Sequence, residues 1–227
     1  MTTRALQLTT LAAASALLVA CSAAPEQAWE SDPTQLPPIQ AAAANVATAD
    51  DLAAAGYEAD AVRQYEQARQ RDPSARVAHK LAVLYDRLGR DDRAVAEYRR
   101  ALAESPSNPG VHNDLGYFFL SRDRAADSER HFRAALDIDP LFDRAVVNLG
   151  LALAAQGRID EAIETMDRVL PPEQSRSNAA MVLAREQKFD QAEALATEAV
   201  QLRPDLPQAR ALLEWLAGDR TRPPADG

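Results

Sequence analysis

The chain has 227 residues, a single cysteine and a formal net charge of −9 at pH 7. One cysteine cannot form an internal disulfide, and the acidic balance argues against non-specific binding to nucleic acid or to an anionic membrane surface. Only 8 residues are glycine and 5% are aromatic, whereas alanine is abundant. This composition favours closely packed helices over strands.

The N-terminus has the features of a secretory signal. Arg4 supplies a positive charge, and the apolar run at 11–20 is shorter than the roughly 20 residues that cross a bilayer. The run ends in the letters LVAC, which resemble the lipobox of bacterial lipoproteins, where the cysteine is acylated. This resemblance implies that residues 1–20 are a signal peptide and that Cys21 carries palmitate and anchors the chain in a membrane. The alternative is an ordinary signal peptide or membrane anchor that contains a cysteine.

The residues after Cys21 predict where the anchored chain lies. Ser22 stands where an aspartate tends to retain such lipoproteins at the inner membrane, so we expect an exported protein on the periplasmic face of the outer membrane. Residues 21–40 are rich in proline and polar groups and predict an extended tether. Within it, Trp29 either docks on the fold, lies at the membrane interface or is exposed. Residues 218–227 are polar and predict a disordered tail.

A segment of about 34 residues repeats along the chain. It is clearest from Val111 to Pro140, which reads as two helices and a turn, and Gly116 recurs one period later as Gly150. Self-similarity at a fixed period is typical of repeat architectures. It predicts one domain at 42–217, with units at about 42–74, 75–108, 109–142, 143–172 and 173–206 and a capping helix at 206–217.

The repeat resembles the tetratricopeptide repeat (TPR). In the unit at 109–142 the resemblance is carried by Leu115, Gly116, Phe119, Ser128, Phe132, Ala135 and Pro140. Small residues stand where two helices cross closely, large ones fill the gaps around them, and proline ends the second helix. The resemblance implies an all-α fold, a right-handed α-solenoid of about five helical hairpins plus a C-terminal capping helix. The fourth unit is expected to be short, because Pro171 and Pro172 interrupt its second helix.

In TPR proteins the first helix of each unit lines a concave groove, and the resemblance implies which side chains point into it. Asn148 and Asn178 share a position at which TPR proteins often bind an extended peptide backbone, since an amide both donates and accepts hydrogen bonds. The alternative is a solvated inner face, with the asparagines making contacts between helices. The family's two-carboxylate clamp is incomplete here. The implied groove residues are Arg76, His79, Lys80, Asn113, Asp114, Tyr117, Arg144, Asn148, Asn178 and Arg185.

No catalytic or metal-binding pattern stands out in the sequence. The histidines have no cysteine or carboxylate at metal-ligand spacing, and no nucleophile elbow, phosphate-binding loop or dinucleotide fingerprint occurs. We therefore expect no enzyme activity, no cofactor, no metal and no nucleic acid. The lipobox and the repeats together predict an adaptor of the bacterial cell envelope that binds a protein or peptide partner, with pilus or secretion-apparatus assembly as the first hypothesis. The alternatives are a self-assembling structural lipoprotein and an accessory factor in outer-membrane biogenesis.

Overall fold

The computed structural model describes residues 36–74 and 76–218. The predicted signal peptide, Cys21, Trp29 and residues 219–227 of the predicted tail lie outside these ranges. The described residues form eleven α-helices and no strand. The helices are α1 Pro38–Ala54, α2 Glu58–Arg71, α3 Ala78–Arg87, α4 Asp91–Glu104, α5 Pro109–Leu120, α6 Ala125–Ile138, α7 Asp143–Ala155, α8 Ile159–Met166, α9 Pro172–Arg185, α10 Phe189–Leu202 and α11 Pro207–Gly218.

Consecutive helices pack as five hairpins, and α11 packs on α9 and α10 at the C-terminal end. We call the first helix of each hairpin (α1, α3, α5, α7, α9) its A helix and the second its B helix. From α3 onward each A helix contacts the next A helix. Neighbouring B helices are bridged by long side chains, as where Arg69 Nη1 lies 2.8 Å from both carboxylate oxygens of Glu97. Because the A helices approach one another more closely than the B helices do, they line the concave side of the α-solenoid, and the predicted all-α solenoid fold is confirmed.

Glycine lets the two helices of the third and fourth hairpins cross closely. A β-carbon at Gly116 would lie 2.6 Å from a ring carbon of Phe132, and one at Gly150 would lie 2.3 Å from Met166 Cγ. Phe132 and Met166 are both fully buried, so neither side chain has free space to withdraw into. The glycines that mark the repeat in the sequence are thus required by the packing of these helices.

Both ends of the solenoid and its fourth hairpin depart from the regular unit. α1 begins at Pro38, inside the predicted tether 21–40; proline suits the first turn because its missing N–H would have no intrahelical partner there. α8 has 8 residues against 14 in α6, and α9 starts directly at Pro172. At the C-terminus Trp215 packs edge-on against Phe189, with 5.8 Å between ring centroids. This contact helps α11 to cover the apolar end of the fifth hairpin.

Every turn between an A helix and its B helix contains one residue with a positive φ. Three of these are glycines, and the other two are Asp123 at 56° and Gln187 at 59°. A β-carbon in this conformation meets the neighbouring carbonyl oxygen, so glycine adopts it most easily and aspartate tolerates it better than most residues. Gln187 is therefore the strained member of the series.

We expect Gln187→Gly to raise the free energy of unfolding by about 0.5–1 kcal/mol. The strain of a left-handed non-glycine residue is about 1–2 kcal/mol, and the greater freedom of glycine in the unfolded chain offsets part of the gain. Thermal and urea unfolding measure the change. Gln187→Ala is the control, because it retains the β-carbon; equal stabilisation by alanine would contradict the explanation from strain.

Candidate functional site

The predicted groove residues lie on, or immediately before, α3, α5, α7 and α9, which line the concave side. These residues differ in solvent exposure, and only exposed or partly buried side chains have polar atoms that a ligand can contact. Arg76, Lys80, Tyr117, Arg144 and Arg185 are exposed, His79, Asp114 and Asn178 are partly buried, and Asn113 and Asn148 are buried.

A chain of hydrogen bonds joins the A helices of three consecutive hairpins. His79 Nε2 on α3 lies 2.8 Å from Asp114 Oδ2 on α5. Asn113 Nδ2 donates to Asp114 Oδ1 at 3.0 Å, and Asn148 Nδ2 on α7 donates to Asn113 Oδ1 at 2.9 Å. We call these four residues the polar chain. It satisfies buried amides at the contacts between A helices and so defines how α3, α5 and α7 sit against one another.

Two of the three groove asparagines are therefore engaged inside the protein. Asn113 is 1% exposed and Asn148 is 9% exposed, because the A helices approach each other closely at these positions. The TPR resemblance assigns the shared repeat position of Asn148 and Asn178 to a peptide backbone, but Asn148 makes the contact between helices that the alternative interpretation expects. Asn148 contacts Asn113, whereas the side chain of Asn178 makes no hydrogen bond with any described residue.

The carboxyl group of Asp114 accepts two of the hydrogen bonds in the polar chain. Burial alone would raise its pKa, but the hydrogen bonds from His79 and Asn113 outweigh burial and hold the pKa below its usual range. The positive charge of Arg144 lowers this pKa further. Asp114 is therefore ionised at neutral pH and acts only as an acceptor.

The concave side has a cavity of about 230 Å³ at its N-terminal end, which we call the N-terminal cavity. At its rim Tyr65 and Lys80 both donate to the carboxylate of Asp50. Burial would raise the pKa of Asp50, but these two hydrogen bonds keep it below its usual range. Arg87 is exposed at the same rim and forms no ion pair with any described residue. The cavity is lined by Asp50, Ala53, Tyr65, His79, Lys80, Val83, Leu84, Arg87 and Asp114.

Sequence reasoning missed Arg87 and Asp50 as residues of the concave side. Arg87 is thirteenth in the unit 75–108, and Arg185 holds the same position in the unit 173–206, so the signal was present in the register of the repeat. Asp50 belongs to the first unit, from which no groove residue was predicted. Its place at the rim of the cavity follows only from its hydrogen bonds with Tyr65 and Lys80.

The other two histidines form a pair outside the polar chain. His112 Nδ1 and His131 Nδ1 are 3.4 Å apart, and the His131 ring stacks on Phe119 with 5.5 Å between centroids. Burial and the neighbouring His112 lower the pKa of His131 to about 4, so this imidazole is neutral at pH 7. Within residues 36–74 and 76–218, no three histidine, cysteine, aspartate or glutamate side chains are grouped so that they could hold a metal ion. Across the same ranges, no helix is both long enough and apolar enough to cross a bilayer.

Comparison with known proteins identifies the repeat. A family model described as the middle TPR-like domain of cilia and flagella-associated protein 70 matches residues 78–217, more than half of the chain. The chain belongs to the tetratricopeptide repeat (TPR) family. A second model, described as a tetratricopeptide repeat, matches residues 46–109 of this TPR protein. Together the two matches extend from the first predicted unit to the capping helix.

Solved structures of other TPR proteins have the same fold. Pseudomonas aeruginosa PilF is 20% identical with a TM-score of 0.59, and the match covers 82% of this chain and 95% of that one. PilW, described as a widely conserved type IV pilus biogenesis factor, is 25% identical with a TM-score of 0.60, covering 78% of this chain and 85% of that one. YrrB, described as a TPR protein with an unusual peptide-binding site, is 20% identical with a TM-score of 0.55, covering 73% of this chain and 88% of that one.

Proposed function

We propose that this chain is a non-catalytic adaptor of the bacterial cell envelope that binds a protein or peptide partner in its concave groove. The proposal rests chiefly on the charge of the groove. Arg76 just before α3, Arg87 on α3 and Arg144 on α7 are exposed and form no ion pair with any described residue. The groove carries these charges although the whole chain has a net charge of −9. Tyr117, also exposed, and the Asn178 amide, which has no side-chain hydrogen bond to a described residue, add adaptable contacts. A groove more basic than its surroundings suits an acidic peptide segment.

The proposal places the adaptor on the periplasmic face of the outer membrane, anchored by lipid on Cys21, and in pilus or secretion-apparatus assembly. The motif around Cys21 supports the anchor. The similarity to PilW, a pilus biogenesis factor, and to PilF supports the choice of pathway. Outer-membrane biogenesis is the alternative pathway for the same kind of adaptor.

A self-assembling structural lipoprotein is the second candidate, and one observation favours it. The N-terminal end of the solenoid exposes Leu36 by 57% and Ile39 by 70%, and no described helix covers them. Such an end could stack on a second copy of the chain. Light scattering on the chain from Ser22 onward separates the two candidates, because a monomer at all accessible concentrations excludes self-assembly.

The adaptor proposal is tested by crosslinking and pull-down from native envelopes. The groove variant carries Tyr117→Ala, Arg144→Glu and Asn178→Ala, which alter side chains outside the polar chain's buried amides. We expect one envelope partner to be captured by the parent and lost with the groove variant. The control is Arg100→Glu on α4, an exposed arginine on a B helix, which makes the same charge change away from the groove and should keep the partner.

The same envelope preparation tests the lipid anchor at Cys21. We expect the mature protein to begin with Cys21 carrying acyl chains, as measured by mass spectrometry of the N-terminal peptide. A mature protein that begins at another residue would contradict the lipoprotein proposal. Capture of the same proteins by parent, groove variant and control would show that the groove is not the binding surface.

A further inference from the structure

The N-terminal cavity combines an apolar interior with a charged rim. Ala53, Val83 and Leu84 contribute carbon atoms to its wall, together with the ring of Tyr65. Its volume of about 230 Å³ is below the roughly 300–1,000 Å³ of small-molecule sites. It nevertheless equals the space of several waters at about 30 Å³ each. A cavity of this size fits one large side chain better than a whole cofactor.

Both carboxylates at the rim are already paired within the protein. Asp50 accepts hydrogen bonds from Tyr65 and Lys80, so the positive charge of Lys80 is balanced inside the molecule. Asp114 is likewise occupied by the polar chain.

Arg87 is the charged residue of the lining that has no ion pair with any described residue. Its side chain stands on the last turn of α3, at the edge of the cavity and exposed to solvent. Among the described residues of the lining, the cationic group still open to a ligand is therefore the Arg87 guanidinium. A guanidinium group can bind a carboxylate through two parallel hydrogen bonds, which defines the direction of the ligand as well as its charge.

We propose that the N-terminal cavity receives one large apolar side chain of the partner peptide, and that Arg87 binds a carboxylate next to that side chain. This inference rests on the proposed function, because it names the peptide class that the groove would recognise. The apolar anchor supplies the burial that dominates most binding interfaces, and Arg87 supplies the selectivity. The ligand is thus a segment with an aliphatic or aromatic residue beside aspartate or glutamate.

The test is selection from a phage-displayed library of random dodecapeptides on the chain from Ser22 onward, which retains all eleven described helices. We expect the enriched peptides to share a large apolar residue beside an acidic one. With Arg87→Glu, the apolar residue should persist and the acidic neighbour should be replaced by lysine or arginine. Arg100→Glu is the control, because Arg100 is exposed on the B helix α4 and lies outside both the groove and the cavity; it should leave the selected pair unchanged.

Affinities of one selected peptide, measured by fluorescence polarisation, make the test quantitative. Arg87→Glu should weaken binding about tenfold, as should an acidic-to-amide change in the peptide. The two changes together should cost little more than either alone, because they remove the same contact. Val83→Trp fills the cavity and should abolish binding, with an unchanged melting temperature as evidence of folding.

Several results would overturn the inference. One is enrichment of peptides without an apolar–acidic pair, and another is an equal effect of Arg87→Glu and Arg100→Glu. If the chain from residue 36 selects the pair but the chain from Ser22 does not, the protein's own N-terminal segment is the occupant. If the envelope partner is lost with the groove variant yet kept by Val83→Trp, the adaptor proposal stands and the cavity is not its recognition site.

Discussion

Gly116→Val is expected to lower the free energy of unfolding by about 3 kcal/mol, at the upper end of the usual cost of overpacking. An added β-carbon would lie 2.6, 2.8 and 3.0 Å from three carbons of the Phe132 ring. That ring is fully buried and belongs to a core cluster that extends from the third to the fifth hairpin. The overlap can be relieved only by moving α5 away from α6, which opens the hairpin. The melting temperature should fall by roughly 6–12 °C at 2–4 °C per kcal/mol.

A coupled substitution tests whether the Phe132 ring is the cause. Phe132→Leu alone leaves a void and destabilises the protein, but it removes the ring carbons that the new side chain would meet. The double variant Gly116→Val, Phe132→Leu should therefore be less destabilised than the sum of the two single variants. Gly218→Ala is the control for the general effect of replacing a helical glycine, because no atom of the described residues lies within 4 Å of its added β-carbon. Additive single effects would mean that another contact limits the site.

The period of small residues was enough to predict the architecture of this protein. Gly116 and Gly150 recur at equivalent places because each stands at a helix crossing too close for a β-carbon. This constraint acts between the two helices of one hairpin. Each unit with such a close crossing therefore needs its own small residue. The early end of the fourth unit at Pro172 could be predicted for a similar reason, since proline restricts the backbone at its own position. The start of α1 at Pro38 could not be predicted, because proline in the first turn of a helix and proline in an extended segment look alike in a sequence.

The candidate site was only partly predictable, because it depends on contacts between units. The register of the repeat placed Asn113, Asn148 and Asn178 on the A helices, and the structure agrees. It did not reveal that Asn148 meets Asn113 across the boundary between α5 and α7, whereas Asn178 finds no such partner among the described residues. An asparagine is engaged or free according to its neighbour in the next unit, and a pattern within one unit carries no information about that neighbour.

Asn113→Leu is expected to lower the free energy of unfolding by about 2 kcal/mol. The substitution removes the acceptor for the buried Asn148 amide and one of the donors to the Asp114 carboxylate. A buried polar group left without a partner costs roughly 1–3 kcal/mol, and leucine recovers part of this through apolar burial. Since Asp114 keeps its contact with His79, the larger part of the loss falls on Asn148. Thermal unfolding should show a decrease of roughly 4–8 °C.

The second substitution in the pair should restore stability, and this is the sharper part of the prediction. Asn113→Leu with Asn148→Leu removes donor and acceptor together, and replacing both partners by apolar groups of similar shape is nearly neutral. The double variant should therefore be more stable than Asn113→Leu alone. Asn178→Leu, on the equivalent helix but without a partner among the described residues, should change stability by less than about 0.5 kcal/mol. The contrary result is a double variant less stable than both Asn113→Leu and Asn178→Leu. The amides of Asn113 and Asn148 would then stabilise the protein through contacts other than the hydrogen bond between them, and that bond would not be what holds α5 against α7.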